Sequence, residues 1–402
     1  MDCVILAAGE GKRMRPLSYT RPKLMLPVSN KPILEWNLIN AINAGINRFI
    51  FIVGYRKEII SNYFGNGDRW GIKIEYKNQE RPLGTADAVG ILEKITDDFI
   101  VLSGDTIFET KDINKIIEKE SCIGTTEVEN ASNYGTIDKK GNKLIKIHEK
   151  IEHPITNLIN AGIYHFNQKI FDCIKKTKKS QRGELEITES INIFLETEDI
   201  DIIYLENWND IVYPWDLLDL NEKILNLSES RIDGFLDKNV TINESVSIGK
   251  NSKILSGSYI EGPVVIGENC KVGPNCYIRP YTSIGNNCHV GNACDVKNSI
   301  IMDFSNVPHQ NYVGDSVIGQ CCNLGAGTKI ANLRLDKKNI KLIHNGKKFH
   351  TSRRKLGAIM GDSVQTGINS VIDVGAVIGN NVFVGPAAHI SGEIMPYSRI
   401  FS

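Results

Sequence analysis

The first half of the chain alternates short apolar runs with amphipathic segments. Strand-like apolar runs occupy residues 3–8, 49–53 and 99–102, and helical spacing of apolar residues occurs at 32–44, 57–64 and 86–94. Alternating β and α segments predict a mainly parallel sheet with helices on both faces. In such sheets ligands bind at the carboxyl ends of the strands. We therefore expect an α/β, Rossmann-like domain with its site beyond those strand ends.

The second half of the chain has a different period. Aliphatic residues follow one another at steps of six: Leu236, Ile242, Ile248, Ile254, Ile260, Ile266, Val272, Ile278, Ile284, Val290 and Val296. The ladder restarts at Tyr312 and again at Met360. A six-residue repeat builds a parallel β-helix, in which three hexads form one triangular coil. Side chains eighteen residues apart then stack at the strand spacing of about 4.8 Å.

These two periods predict the domain organisation. We expect an α/β domain over residues 1–222, a linker over 223–235 and a β-helix over 236–402. An amphipathic helix is predicted at 215–227, between the two periods. Residues 333–357 interrupt the ladder and contain nine Lys and Arg residues against the single acid Asp336. This basic insertion is expected to loop out of the β-helix, where it is solvated, binds coenzyme phosphates or contacts a neighbouring subunit.

Composition and charge narrow the class of protein. The 402 residues carry a formal net charge of zero, so no overall field attracts nucleic acid or membrane. The N-terminus lacks the basic region of a signal peptide, and no apolar run approaches the roughly 18 residues of a membrane span. The nine cysteines include no CxxC pair, which is typical of reduced cytosolic thiols. We expect a cytoplasmic protein without nucleic-acid or membrane partners.

Four cysteines fall in step with the ladder. Cys270, Cys276, Cys288 and Cys294 each lie four places after an aliphatic rung. That position needs a small side chain inside a narrow coil, and a buried cysteine behaves as a small hydrophobe. Packing is favoured over the alternative of a metal site.

A glycine-containing loop follows the first apolar run. Residues 8–14 read Ala-Gly-Glu-Gly-Lys-Arg-Met, with Met14 where a dinucleotide fingerprint has its third glycine. Glycines let backbone N–H groups approach phosphates closely, and an arginine adds a charged donor. The loop predicts a phosphate-binding cradle.

The wider set of motifs resembles the signature of sugar-1-phosphate nucleotidyltransferases. The matching segments are 6–14, 22–28, Gln79, 83–86, 104–105, 149–150, 160–162 and 208–210. They span the whole first half. Val212 replaces a frequent glycine after the last motif, and the surroundings of Asp87 differ from the bacterial uridyltransferases, so the nucleotide base stays open.

The resemblance implies a role for each matching residue. Nucleotide contacts are expected from Leu6, Ala8, Gly9, Gly11, Arg13, Lys23, Gln79, Gly84 and Thr85. The sugar phosphate is expected to contact Gly135, Glu149, Lys150 and Asn160, and Asp105 and Asp210 are expected to hold Mg²⁺. A sugar phosphate is already ionised near neutral pH, since its second pKa is about 6, so no general base is needed. Arg13 and Lys23 would act in catalysis by neutralising charge during in-line transfer.

A second constellation lies in the β-helix. Residues 308–328 resemble the acetyltransferase site of bifunctional N-acetylglucosamine-1-phosphate uridyltransferases / glucosamine-1-phosphate acetyltransferases, whose β-helix is left-handed. The resemblance implies that His309 is the general base on the amine and that Asp295 orients or stabilises it. Sugar and phosphate contacts are expected from Arg279, Lys297, Tyr312, Asn323 and Asn332, and the Ala326 backbone is expected to bind acetyl-coenzyme A.

These motifs support three hypotheses about the function of the protein. The first is a bifunctional enzyme that acetylates glucosamine-1-phosphate and then transfers a nucleotide from UTP or another NTP. The second is a monofunctional glucose- or mannose-1-phosphate nucleotidyltransferase with a structural β-helix, for which the pair Glu149 and Lys150 gives some support. The third is a non-catalytic regulatory subunit, which the intact loop and Asp105 oppose. By resemblance, we expect a homotrimer with acyl sites between subunits.

Overall fold

The computed structural model describes residues 1–92, 95 and 97–401. Two compact units are found. The first comprises Met1–Glu10, Pro22–Met25 and Ile33–Asp210. The second comprises Gly11–Arg21, Leu26–Pro32 and Ile211–Ser402, so it contains part of the glycine-containing loop as well as the β-helix.

A nine-stranded sheet forms the centre of the first unit. Its strands lie in the order Lys73–Asn78, Arg48–Val53, Asp2–Ala7, Phe99–Ser103, Leu158–Phe166, Cys122–Glu127, Asp201–Tyr204, Lys143–Glu149 and Gly135–Lys140. The first four are parallel, and the sequence patterns predicted the last three of them but not Lys73–Asn78. Leu158–Phe166 then runs antiparallel to its neighbours on both sides. The sequence patterns did not predict this antiparallel part of the sheet. At the far edge of the sheet, Gly135–Lys140 and Lys143–Glu149 are antiparallel because the turn at residues 141–142 is too short for a parallel crossover.

Helices cover both faces of this sheet. They are Ile33–Asn43, Lys57–Phe64, Thr85–Gly90, Thr110–Ile117, Ile170–Lys176 and Ile187–Phe194. Alternate residues of the strand Asp2–Ala7 enter different apolar clusters, with Cys3 and Ile5 on one face and Val4 on the other. The helix predicted at 86–94 ends at Gly90, and residues 93 and 94 of that prediction lie outside the described residues.

The second unit contains a left-handed parallel β-helix, which confirms the predicted fold class. Its three faces are parallel sheets whose strands recur once per coil. The first face comprises Arg231–Ile232, Val246–Ile248, Val264–Ile266, Thr282–Ile284, Ile300–Ile301, Val317–Ile318, Ile359–Met360, Val377–Ile378 and Glu393–Ile394. The second comprises Phe235–Leu236, Lys253–Ile254, Lys271–Val272, His289–Val290, Asn306–Val307, Asn323–Leu324, Gln365–Thr366, Phe383–Val384 and Arg399–Ile400. The third comprises Thr241–Asn243, Tyr259–Glu261, Tyr277–Ile278, Asp295–Lys297, Tyr312–Gly314, Lys329–Ile330, Val371–Ile372 and His389–Ile390.

The predicted ladder is wrong at Tyr312. Ile278 pairs with Val296, eighteen residues later, but Val296 pairs with Val313, only seventeen residues later. Val313 is therefore the buried rung, while Tyr312 is only partly buried and lies on the outside of the coil. Because side chains alternate between the two faces of a strand, shortening the coil by one residue exchanges inside for outside.

The predicted cysteine packing is confirmed. Cys270, Cys276, Cys288 and Cys294 are at most 2% exposed and belong to the apolar core of the coil. Their thiols lie against backbone carbonyls of the following coil, as the thiol of Cys270 does at 3.0 Å from the oxygen of Gly285.

The basic insertion forms a hairpin instead of an entirely solvated loop. Its strands are Lys341–His344 and Lys347–His350, and they pair antiparallel. Ile340, Leu342 and His344 are buried. The helix Asp216–Asn226 confirms the predicted amphipathic helix, and its Asp219 forms an ion pair with Arg353 of the insertion. Among the described residues, no helix is both long enough and apolar enough to cross a membrane.

Candidate active sites

The carboxyl ends of the parallel strands converge in the first unit. Gly104 donates its N–H to the carbonyl of Leu6 at 3.1 Å, and Tyr55 donates to the carbonyl of Ala8 at 3.2 Å. A Cβ at Gly104 would lie 2.5 Å from the oxygen of Leu6, so only glycine fits there. A Cβ at Gly9 would meet no protein atom within 4 Å. Packing therefore does not require a glycine at position 9, whereas close approach of a phosphate would.

Lys23 and Asp105 form an ion pair beside these strand ends. Lys23 Nζ donates to Asp105 Oδ2 at 2.9 Å, and the Ser103 hydroxyl donates to Oδ1 at 2.8 Å. Burial would raise the pKa of Asp105, but the charge and hydrogen bonds of Lys23 and Ser103 outweigh it and lower the pKa. The Asp105 side chain is still 41% exposed, so the carboxylate is accessible to a cation.

The second predicted metal ligand lies next to the first. Asp210 pairs with Thr106, the neighbour of Asp105, in a short antiparallel ladder, and it accepts a hydrogen bond from the Tyr134 hydroxyl at 3.1 Å. Within residues 1–92, 95 and 97–401, no three carboxylate, His or Cys side chains cluster tightly enough to hold a metal ion by themselves. Two carboxylates completed by substrate phosphates and water are what Mg²⁺ prefers, so the donor set fits that ion.

Three of the predicted nucleotide-binding residues are Gln79, Gly84 and Thr85. Gln79 Nε2 donates to the carbonyl of Gly84 at 3.0 Å and to Asp87 at 2.8 Å. Gly84 has φ +126°, and a Cβ there would lie 2.3 Å from the oxygen of Leu185. The Thr85 hydroxyl accepts the N–H of Ile187 at 2.9 Å. Glycine at 84 is thus required by the fold itself, and the nucleotide-binding roles of these residues remain predictions.

The predicted sugar-binding residues lie farther along the same sheet. Glu149 accepts a hydrogen bond from Thr188 at 2.9 Å and faces Lys150 and Arg182, each at 3.4 Å. A Cβ at Gly135 would approach the Glu149 carboxylate to 3.1 Å. Asn160 Nδ2 donates to the hydroxyl of Tyr164 at 2.7 Å. Arg182, which the motifs did not single out, is therefore part of the Glu149 cluster.

Gly11 and Arg13 of the glycine-containing loop belong to the second unit. Gly11 adopts the left-handed conformation with φ +66°, which glycine accepts without strain. The loop then forms a short 3₁₀ helix, Lys12–Met14. Arg13 is exposed, and its backbone carbonyl accepts a hydrogen bond from His344 at 2.7 Å.

One group of predicted acetyltransferase residues forms a connected network on the third face of the β-helix. Arg279 lies 3.7 Å from Asp295, and Lys297 lies 3.8 Å from Asp315. Asp315 is 3% exposed and also accepts hydrogen bonds from Asn298 at 2.8 Å and Asn332 at 2.5 Å. Sequence reasoning missed Asp315, although it stands within the recognised motif.

The network shifts the pKa values of Lys297 and Asp295. Burial lowers the pKa of Lys297, as do the positive charges of Lys355 and Arg279, although Asp315 opposes this shift. Burial also raises the pKa of Asp295, and Arg279 and Lys297 offset only part of that increase. Lys297 thus loses its charge at a lower pH than an ordinary lysine does.

The remaining predicted residues stand nearer the preceding corner of the coil. His309 is exposed between the second and third faces, and its carbonyl accepts the N–H of Gly327 at 2.9 Å. Asn323 pairs with Asn306 and Gln365 on the second face, and the Ala326 carbonyl accepts the N–H of Asn369 at 2.7 Å.

Within the described chain, Asp295 is paired with Arg279, and no hydrogen bond joins it to His309. The predicted roles of Asp295, His309, Asn323 and Ala326 remain predictions. One chain thus presents two groups of predicted site residues, the network around Asp315 and the corner around His309.

The two units together define a nucleotidyltransferase-like α/β domain joined to a hexapeptide-repeat β-helix. Residues 2–226 match the family model described as nucleotidyl transferase, and residues 260–369 match one described as GMPPB C-terminal domain. A solved structure titled putative glucose-1-phosphate thymidylyltransferase from Bacillus anthracis is 28% identical, with a TM-score of 0.53, and covers 57% of this chain and 98% of that one.

Relatives of full length are also found. The bifunctional protein GlmU of Methanocaldococcus jannaschii is 42% identical over 98% of this chain and 96% of its own length. A bifunctional sugar-1-phosphate nucleotidylyltransferase/acetyltransferase of Sulfurisphaera tokodaii is 40% identical over 98% of both chains. The chain therefore belongs to the nucleotidyl transferase family, in the group of two-domain bifunctional GlmU proteins.

Proposed function

We propose that this protein is a bifunctional enzyme that makes UDP-N-acetylglucosamine. It transfers an acetyl group from acetyl-coenzyme A to glucosamine-1-phosphate, and then a uridylyl group from UTP to the product, releasing pyrophosphate. All substrates of the two reactions are small molecules. The observation that carries the proposal is the agreement with bifunctional relatives along the whole chain, over both units.

The first reaction site uses charge and position. Lys23 neutralises negative charge on the nucleotide phosphates, and the glycine-containing loop supplies backbone N–H donors. Asp105 and Asp210 would hold Mg²⁺, which contributes neutralisation of phosphate charge when bound. Glu149 and Asn160 orient the sugar through its hydroxyl groups. No residue needs to remove a proton, because the attacking phosphate is already ionised.

The second reaction site uses a general base. The amine of glucosamine-1-phosphate forms a bond to the thioester carbonyl carbon and loses a proton, which His309 accepts. The carbon–sulfur bond then breaks, and coenzyme A leaves with a proton on its sulfur. Arg279 and Lys297 hold the sugar phosphate, with Tyr312, Asn323 and Asn332 around the ring. The Ala326 backbone contacts the coenzyme near the thioester. Burial of Asp315 beside Lys297 fixes the position of this lysine.

The homotrimer belongs to the proposal because one chain presents two separate groups of site residues. In the trimer, His309 of one subunit would serve the phosphate-binding network of the next. Mixing His309→Ala chains with Arg279→Ala chains, unfolding and reassembling them together, should then restore acetyl transfer that neither variant has alone. If verified mixed trimers show no restored acetyl transfer, each acetyltransferase site lies within one subunit.

A cytoplasmic location is also proposed, because the nine cysteines are free thiols and such thiols persist in a reducing compartment.

Two variants test the two activities separately. His309→Ala should abolish coenzyme A release with glucosamine-1-phosphate and keep pyrophosphate release from UTP and N-acetylglucosamine-1-phosphate. Lys23→Ala should lower pyrophosphate release about 100-fold and keep coenzyme A release.

The monofunctional alternative has some support from the match of residues 260–369 to the GMPPB C-terminal domain. If the wild type releases no coenzyme A with any amino-sugar phosphate, the β-helix is structural and this alternative holds. If neither reaction is seen with any nucleotide, the proposal fails.

A further inference from the structure

The hairpin of the basic insertion reaches the glycine-containing loop inside the second unit. His344 Nε2 lies 2.7 Å from the carbonyl oxygen of Arg13, and Asn345 Nδ2 lies 3.3 Å from that of Lys12. A carbonyl oxygen only accepts hydrogen bonds, so the imidazole donates through Nε2–H. The two residues thus hold two consecutive carbonyl groups of the loop whose opposite, N–H side is expected to face phosphate.

The surroundings of His344 fix the position of its ring. The side chain is 1% exposed and lies among the rings of Tyr213, Trp215 and Phe349, with centroid distances of 6.3, 5.8 and 5.9 Å. Burial lowers the pKa of His344, although the carbonyl of Arg13 and the charge of Glu393 oppose this shift. A neutral imidazole with its proton on Nε2 is therefore what this packing favours.

The turn of the hairpin is fixed by hydrogen bonds to Glu393. Asn345 and Gly346 have φ values of +50° and +70°, and they form a two-residue turn between the paired His344 and Lys347. The carboxylate of Glu393 accepts the N–H groups of Asn345 at 2.6 Å and of Gly346 at 2.9 Å. The hairpin tip is thus fixed to the last coils of the β-helix.

We propose that His344 is a positioning residue for nucleotidyl transfer, through which the insertion in the β-helix orders the loop carrying Lys12 and Arg13. The inference rests on the proposed function of that loop. It gives the hairpin a role besides coenzyme or subunit contact, since the hairpin serves the other reaction of the same chain. The loop needs such support because glycines at positions 9 and 11 leave its backbone free to adopt many conformations.

Variants of equal bulk test the hydrogen bond. His344→Met fills the aromatic pocket without a donor, whereas the amide nitrogen of His344→Gln takes nearly the place of Nε2. We expect His344→Met to raise the apparent KM for UTP about five-fold to ten-fold, because one hydrogen bond to the loop is lost. His344→Gln should stay within about two-fold of the wild type. Glu393→Gln, which loosens the turn, should give a smaller rise in the same constant.

The acetyl-transfer rate of each preparation is the internal control, since that reaction does not use the loop. It should stay unchanged in all three variants, as should the KM for N-acetylglucosamine-1-phosphate. Equal KM values for UTP in wild type and His344→Met, an equal defect in His344→Gln, or a parallel loss of acetyl transfer would each overturn the inference. Absence of pyrophosphate release by the wild type would instead overturn the proposed function, and the inference with it.

Discussion

Lys23 Nζ lies 2.9 Å from Asp105 Oδ2, although the two residues are eighty-two positions apart in the chain. The pair places a cation against the carboxylate that is expected to hold Mg²⁺. It therefore fixes two predicted functional groups with one contact.

Replacing Lys23 with Met should remove this cation and leave the carboxylate less well stabilised. We expect pyrophosphate release to fall about 100-fold, in line with other losses of charge stabilisation. The pKa of Asp105 should rise, because Lys23 lowers it at present. The carboxylate would then protonate at a higher pH, so the acid limit of the residual activity should move upward. A rate within two-fold of wild type across the pH profile would contradict this prediction.

Arg21 and Asp362 form a buried ion pair within the second unit, with side chains 8% and 10% exposed. Arg21→Met would leave the Asp362 carboxylate without its cation. Removing one partner of a buried pair costs about 3–5 kcal/mol, so the thermal unfolding midpoint should fall clearly.

The control for that variant is Arg334→Met, whose partner Asp336 is exposed and whose loss should leave the midpoint unchanged. The double variant Arg21→Met/Asp362→Leu should recover part of the stability. If Arg21→Met is as stable as the wild type, the ion pair makes no net contribution to the free energy of unfolding.

Gly84→Ala should destabilise the first unit by roughly 1–3 kcal/mol, because φ +126° is strained for any residue with a Cβ. The added carbon would also collide with the backbone of Leu185. Gly9→Ala is the matched comparison, since no protein atom lies within 4 Å of its Cβ. It should unfold at the wild-type temperature and yet bind UTP more weakly in calorimetry. Equal unfolding midpoints for the two variants would contradict the prediction.

Lys355→Met should extend sugar-phosphate binding to higher pH. The nearby charge of Lys355 helps burial to lower the pKa of Lys297, so Lys297 becomes neutral early as the pH rises. Without Lys355 that pKa should rise, and the KM for glucosamine-1-phosphate should stay low over a wider alkaline range. A KM that is raised equally at every pH would mean that Lys355 binds the phosphate itself.

Local sequence patterns predicted much of the architecture. The six-residue period predicted the β-helix and the burial of Cys270 and its three companions, because each rung depends only on residues one coil away. The alternation of strands and helices predicted three of the four adjacent parallel strands and missed Lys73–Asn78. The antiparallel extension beyond Phe99–Ser103 escaped prediction, since strand direction depends on partners far along the chain.

Some residues of the candidate sites were predicted from the sequence, and others are recognised only in the structure. Motifs identified Lys23, Asp105, Lys297 and His309, whose chemistry is carried by residue type and spacing. Asp315 escaped notice because an acidic residue next to a strand is usually solvated, and only its burial beside Lys297 reveals its part.

The sequence by itself determined the two repeat periods, the order of the domains and the residue types available for chemistry, because these depend on spacing along the chain. Only the tertiary structure decided that Tyr312 lies outside the coil and that Arg21 pairs with Asp362. It alone decided that His344 holds the carbonyl of Arg13. Such contacts join residues hundreds of positions apart, and their free energy comes from burial and geometry that no local pattern contains.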